Sequence, residues 1–254
     1  TEVGNIPVFD LVEQVLTLVE VIDTSLIFVH PCQVLDAAQE AIAAGIRQII
    51  IFTPGVPPLD TIALIKYAEA NDTLILGPGS HGVIIPEQVW LGKLQPQFYR
   101  PGSVGLITSS QHLSYEVAAE LNQADMGQSI VVSLGQERIV SSNLAQWLSI
   151  LNEDPDTKAI VSIGQSINET EEITNYCQNC GYDKPIIVYI AGLKVPQDKV
   201  FRDAVTIISN HLSGSIPVVN RDQQTISKLK KVVIKVAKKT SDIPKVIQKA
   251  MYKK

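Results

Sequence analysis

Three cysteines in 254 residues, Cys32, Cys177 and Cys180, are too few for a disulfide framework. A reducing, cytoplasmic setting is the expectation. No apolar run approaches the roughly 20 residues that cross a bilayer, so no membrane span is expected. No stretch reads as a signal peptide, and the first residue is Thr1. Aromatics are scarce at 6%, yet 45% of the residues are apolar, which excludes a disordered chain and points to a sizeable core. A net charge of −5 offers no overall basic character for nucleic acid. That charge is uneven. Residues 228–254 carry ten lysines against one acid, Asp242, a local +9, so residues 1–227 must carry −14. The lysines alternate with core-like residues and form no polybasic block. They read as a solvated terminal element, with docking to an acidic partner or membrane surface as the sharper alternative.

What is present is a succession of short β-rich runs: Ser25–Val29, Gln48–Phe52, Thr73–Leu76, Val104–Thr108, Ser129–Leu134, Ala159–Ile163, Pro185–Ile190, Val205–Ile208 and Val232–Val236. Their Ile and Val are nearly continuous rather than alternating, the pattern of strands buried on both faces. Helical segments separate them. Leu113, Val117, Ala118 and Leu121 recur at helical spacing behind Ser109 or Ser110 as a cap, and Ile243, Val246, Ile247, Ala250 and Met251 do so behind Ser241. Such alternation predicts parallel α/β sheets. A closed eight-stranded barrel would alternate too, but residues 86–102 hold Pro86, Pro96, Pro101, Gly92 and Gly102 with no helix of normal length. The expected fold class is therefore α/β with two doubly wound parallel-sheet domains, residues 1–99 and 100–254.

The order of segments resembles the alpha subunit of the succinate–CoA ligase family, the NDP-forming acyl-CoA synthetases, from end to end. Gly4 to Asp10 (G-N-I-P-V-F-D) is similar to the family's G-L-P-V-F-N, and Gly77 to Ile84 (G-P-G-S-H-G-V-I) to its G-P-N-C-P-G-V-I. Glu153 to Val161, Tyr189 to Gly192 and the last helix from Ser241 follow family segments as well. The resemblance implies a truncated Rossmann-type CoA-binding domain followed by a flavodoxin-like ligase domain. It also implies an ATP-grasp beta-type subunit, or self-association, as partner.

The same resemblance locates the family's working residues, and several are changed. The family opens with a strand, a Gly-rich turn and a helix whose N–H groups hold the coenzyme's phosphates; the sequence starts beyond that unit. The coenzyme contact I-T-E falls on Phe52-Thr53-Pro54, with proline in place of the acid. Coenzyme A is the implied cofactor, its binding expected to be weakened or lost. The phosphate loop S-R-S-G-T-L-T-Y-E becomes Thr108-Ser109-Ser110-Gln111-His112-Leu113-Ser114-Tyr115-Glu116. Its hydroxyls and helix start remain, while its arginine and glycine are gone. Tyr115 stands at the acid-substrate tyrosine; an amphipathic-helix tyrosine packing on the sheet is the competing reading. The Gly-rich turn G-G-D-P becomes Gly135-Gln136-Glu137-Arg138.

Two changes fall on the phosphoryl-carrying pair itself. The phosphohistidine of G-H-A-G-A-I-I is Asp203, beside Arg202, with Ile207-Ile208-Ser209 holding the register. The glutamate that orients that histidine is Gln165. A phosphohistidine mechanism needs a ring nitrogen as nucleophile. His211, eight residues past Asp203, is the alternative nucleophile, against a plain surface-loop histidine. His30, His81 and His112 stand where the family has other residues; they read as exposed strand-end or helix-start histidines, with a His81–His112 cluster as the alternative. No metal site is expected from two histidines. Cys177-Gln178-Asn179-Cys180 ends a helix before Gly181 and reads as incidental rather than redox-active. The expectation is an alpha-subunit-like pseudoenzyme with a regulatory or scaffolding role. The alternatives are an active acyl-CoA ligase subunit with a relocated nucleophile, or a sensor of CoA or another anion.

Overall fold

A computed structural model describes residues 2–3, 6–135, 137, 139–164, 167–191 and 234–251. Two extended dipeptides, β1 (Glu2–Val3) and β2 (Ile6–Pro7), pair antiparallel, and a single helical turn, α1 (Val12–Val15), follows. The first main sheet is wholly parallel, in the order β3 (Thr24–Ile27), β4 (Gln48–Ile51), β5 (Leu74–Leu76). Its crossovers are α2 (Val34–Ala43) and α3 (Pro58–Ala70). Proline at the first turn of α3 suits a helix start, where its missing N–H would find no intrahelical partner.

The second sheet has seven strands. A hairpin, β6 (Gly82–Ile85) and β7 (Val89–Gly92), forms one edge. Five parallel strands follow in space: β9 (Gln128–Ser133), β8 (Pro101–Thr108), β10 (Ala159–Gly164), β11 (Ile186–Ile190) and β12 (Lys235–Ala237). Hairpin strand β6 runs antiparallel to β9. The helices are α4 (Gln111–Gln123), α5 (Leu144–Glu153), α6 (Ile167–Asn179) and α7 (Ile243–Met251). The α/β class of two doubly wound sheets holds, with an antiparallel edge on the second sheet.

The expected strands lie within three residues of their places, except Val205–Ile208, which falls outside the described residues; Val232–Val236 is observed as Lys235–Ala237. Residues 86–102 are not the irregular crossing that their prolines suggest. Pro86 sits in the β6–β7 turn, and Gly92 closes the hairpin. Strand membership therefore changes between Leu76 and Gly82, ahead of the expected division near residue 100. Nor does Ser241 simply precede the last helix: it lies inside a 3-10 turn, Thr240–Asp242, that leads into α7.

Strand side chains alternate between two cores. Ile49 and Ile51 of β4 face α2 and α3, packing with Val34, Ile42 and Leu64. Their neighbours Ile50 and Phe52 face the other way, into a core built with Ile107, Val132, Trp147, Leu148 and Val188 of the second sheet and its helices. The two sheets thus share one apolar interior. A third cluster, with Leu106, Val117, Leu121, Ile187 and Ile243, fills the space under α4 and α7. The parallel strands β4, β8, β9, β10 and β11 are largely buried on both faces, which is why their sequences show no alternation.

Candidate functional site

The carboxyl ends of β4 and β9 meet at the loop 77–81. Ser80 N donates to Ile51 O (3.1 Å), and Gly79 N donates to Thr53 O (3.1 Å). On the other side, Ser80 Oγ donates to Ser133 O (2.6 Å) and accepts from Gly82 N (2.8 Å). The loop stitches both sheets at their carboxyl ends, where open α/β sheets bind ligands. Gly77, at φ +106°, lets the chain pass so close to β4 that a Cβ there would lie 2.4 Å from Ile51 O.

On the first sheet this rim carries Phe52-Thr53-Pro54. The Phe52 ring is buried and stacks on Phe28, with centroids 4.3 Å apart and planes at 9°. Thr53 Oγ1 donates to Val29 O (2.7 Å), and Pro54 has no N–H to offer. Phe52 O accepts from Lys93 Nζ (3.3 Å). Phe52 O, Thr53 Oγ1 and Thr53 O are thus bonded within the protein. Gly55 N, the next donor, is capped by the carboxylate of Glu137 (2.8 Å). As a place for a polar coenzyme contact, the segment fits poorly, since a ligand would have to displace internal bonds.

On the second sheet the rim carries Thr108, Ser109 and Ser110. Thr108 Oγ1 donates to Ser110 O (2.8 Å) and accepts from Ser110 N (2.9 Å), a tight turn that delivers the chain into α4. Ser110 is the N-cap residue, but its side chain makes no cap bond, and no acid lies in the first turn. The N–H groups of Gln111, His112 and Leu113 therefore lack the side-chain cap that commonly satisfies a helix start. Ser109 Oγ is shielded from solvent and has no hydrogen-bond partner. Gln111, which replaces the glycine, adopts ordinary helical backbone, and its Nε2 donates to Tyr115 Oη (2.7 Å) and Lys93 O (3.4 Å).

Tyr115 also accepts from Gln95 N (3.2 Å), and its ring stacks on Phe98 at 4.5 Å. Both packing and polar contacts anchor it beneath the segment 95–99. His81 hangs from the stitched loop, its N donating to Ser133 Oγ (3.2 Å) and its Nδ1 lying 3.4 Å from that oxygen. Half-burial pushes the His81 pKa below its usual value, and the charges of Lys93 and His112 push it further down. Lys93 and His112 are thus the charged groups that bear on His81. Lys93 directly follows the last residue of β7; its N and that of Leu94 both donate to His81 O. His30 lies apart on an exposed turn, bonded to Cys32 N. Among the described residues no three His, Cys, Asp or Glu side chains converge as a metal site. Gln165, Asp203 and His211 lie outside the described residues, as do Gln136 and Arg138. Gln165 follows Gly164, the last residue of β10, and Ile163 O of that strand accepts from Ser109 N (3.4 Å).

Residues 101–207 match the family described as succinyl-CoA ligase like flavodoxin domain, and residues 1–55 match the CoA binding domain. The ADP-forming succinate–CoA ligase subunit alpha 2 of Archaeoglobus fulgidus is 31% identical over 245 residues, 96% of this chain and 84% of that one. The chain belongs to the succinate–CoA ligase alpha-subunit family. Within that family, the malate–CoA ligase subunit alpha of Methylorubrum extorquens is 32% identical over 209 residues, covering 81% of this chain and 70% of that one. The fold also matches ATP citrate lyase from Methanothrix soehngenii, solved with citrate and coenzyme A, with a TM-score of 0.80 at 17% identity. That likeness covers 97% of this chain but only 41% of the lyase, and it is a likeness of fold. Among the described residues no helix is long and apolar enough to cross a membrane.

Proposed function

We propose that this family member has given up phosphoryl transfer and acts as a regulatory or scaffolding subunit. It docks onto an ATP-grasp beta-type subunit or onto a second copy of itself. The observation that carries the reading is Asp203, inside the matched ligase domain, where the resemblance places the phosphohistidine. A carboxylate cannot form a phosphoramidate, and acyl-phosphate chemistry wants Mg²⁺ and its acidic ligands beside the nucleophile. Gln165 supports the same reading independently, because a neutral amide cannot stabilise an imidazolium as the family's glutamate does. The internal bonding of Phe52, Thr53 and Gly55 supports a further clause, that coenzyme A binds weakly.

The test is incubation with ATP or GTP labelled in the γ-phosphate, with and without a beta subunit. No protein-bound label is expected. Acid-labile, base-stable label at His211, or hydroxylamine-sensitive label at Asp203, would overturn the reading in favour of an active ligase. Calorimetry with coenzyme A is expected to give a Kd of about 1 mM or weaker, roughly 4 kcal/mol of binding. Micromolar binding without label would replace the weak-coenzyme clause with a sensor role.

A further inference from the structure

The two sheets do not close on each other along their whole length. Toward the end where β4, β5 and β9 begin, Leu74, Val83, Leu91 and Ile130 pack against the shared interior yet stay only partly buried. A cleft of about 430 Å³ opens there. Strands β4 and β5 form one wall, β9 and the hairpin the other, and Trp147 and Ile150 of α5 a third. It lies at the opposite strand ends from the rim that carries Phe52 and Ser80. We infer that this cleft binds a neutral amphiphile, an aliphatic chain of about ten carbons ended by an uncharged hydroxyl or amide.

Three features select that ligand. The first is shape. An apolar cavity of about 150 Å³ takes benzene, so on that scale the cleft holds roughly 15 non-hydrogen atoms. Walls on three sides make it a slot, which a thin chain fills and a flat protein surface does not. The second is charge. None of the residues lining the cleft is ionisable. Arg47, beside Gln48 in sequence, turns its guanidinium away to donate to Ile42 O (3.0 Å) and Ile46 O (3.2 Å). A carboxylate or phosphate would lose its water in the cleft with no cation to meet it. The third is the placement of the polar groups. Thr24 and Gln48, the first residues of β3 and β4, are register partners at one end of the cleft. Thr24 Oγ1 donates to Gln48 Oε1 (3.2 Å), and the Gln48 amide N–H groups are donors for a ligand oxygen. The remaining wall is aliphatic apart from the Trp147 indole, whose N–H already donates to Ser142 Oγ (3.0 Å).

The probes are 1-decanol and decanoate, which share a chain and differ in head-group charge at about pH 8. Trp90→Phe, at an exposed position outside the cleft, leaves Trp147 in its wall as the only tryptophan of the chain. Decanol is expected to change the Trp147 fluorescence saturably, with a Kd of about 100 µM or tighter. Decanoate should bind at least roughly tenfold more weakly. Ile150→Glu, at a partly exposed position of the lining, should weaken decanol at least about tenfold. Circular dichroism checks its folding, and Val89→Glu, equally exposed, serves if Ile150→Glu does not fold. Absence of saturable decanol binding, equal affinity for decanoate, or indifference to the glutamate overturns the site. Sedimentation is run alongside: a dimer that the glutamate dissociates, without decanol binding, would give the cleft to a second copy and overturn it too. Neither probe carries phosphate, so the pseudo-subunit reading stands or falls separately.

Discussion

At Cys177 the local environment decides what the C-x-x-C spacing cannot. Cys177 is half-buried in α6 and Cys180 is exposed just beyond it. Burial, with the neighbouring Cys180 thiol adding to it, pushes the Cys177 pKa up to about 11. Its thiolate is scarce at neutral pH, which agrees with the incidental reading. Iodoacetamide is expected to modify Cys32 and Cys180 at least roughly tenfold faster than Cys177 by peptide mapping; equal rates would contradict this environment. Gly82 is a second residue whose role is set by its surroundings. Its φ is +98°, and a Cβ there would meet Leu91 O at 1.9 Å across the hairpin. Gly82→Ala should destabilise the protein by about 2–4 kcal/mol, read from the denaturation midpoint. Tyr115 shows the opposite limit: its alternation on α4 was legible, but its bonds to Gln95 and Gln111 join residues up to twenty positions apart and left no local trace.

Among the elements, α5 begins with a full capping box. Gln146 N donates to Asn143 Oδ1 (2.9 Å), and Asn143 N donates to Gln146 Oε1 (3.0 Å). Asn followed three residues later by Gln ahead of an apolar stripe is the sequence sign of such a helix start. Asn143→Ala should cost about 1 kcal/mol of stability in urea denaturation, with Asn143→Asp losing less. The hairpin β6–β7 was harder to see. Its turn places Glu87 at φ +63°, a conformation for which glutamate carries no sequence signal. Its second strand, Val89–Gly92, carries no run of Ile and Val. The long parallel strands were legible because burial on both faces demands unbroken Ile and Val.

For the whole molecule, the shared core is the feature on which the rim depends. Phe52 reaches from the first sheet into the cluster of Ile107, Val132, Trp147 and Val188, while its carbonyl holds Lys93. Phe52→Ala should destabilise by about 3–5 kcal/mol. It should also loosen the first sheet from the second, so that unfolding followed by the Trp90 and Trp147 fluorescence and by far-ultraviolet circular dichroism no longer coincides. A single coincident transition of unchanged midpoint would mean that the two sheets are not coupled through this residue.

The sequence by itself determined the parallel α/β layout and the family, and it alone carries the proposal that Gln165 and Asp203 stand in for the phosphoryl-carrying pair. Strand burial and motif register are local properties, written in consecutive residues. Only the tertiary structure decided that both sheets share one interior and that Phe52 O, Thr53 Oγ1 and Gly55 N are bonded within the protein. These are contacts between distant positions, which no local pattern encodes.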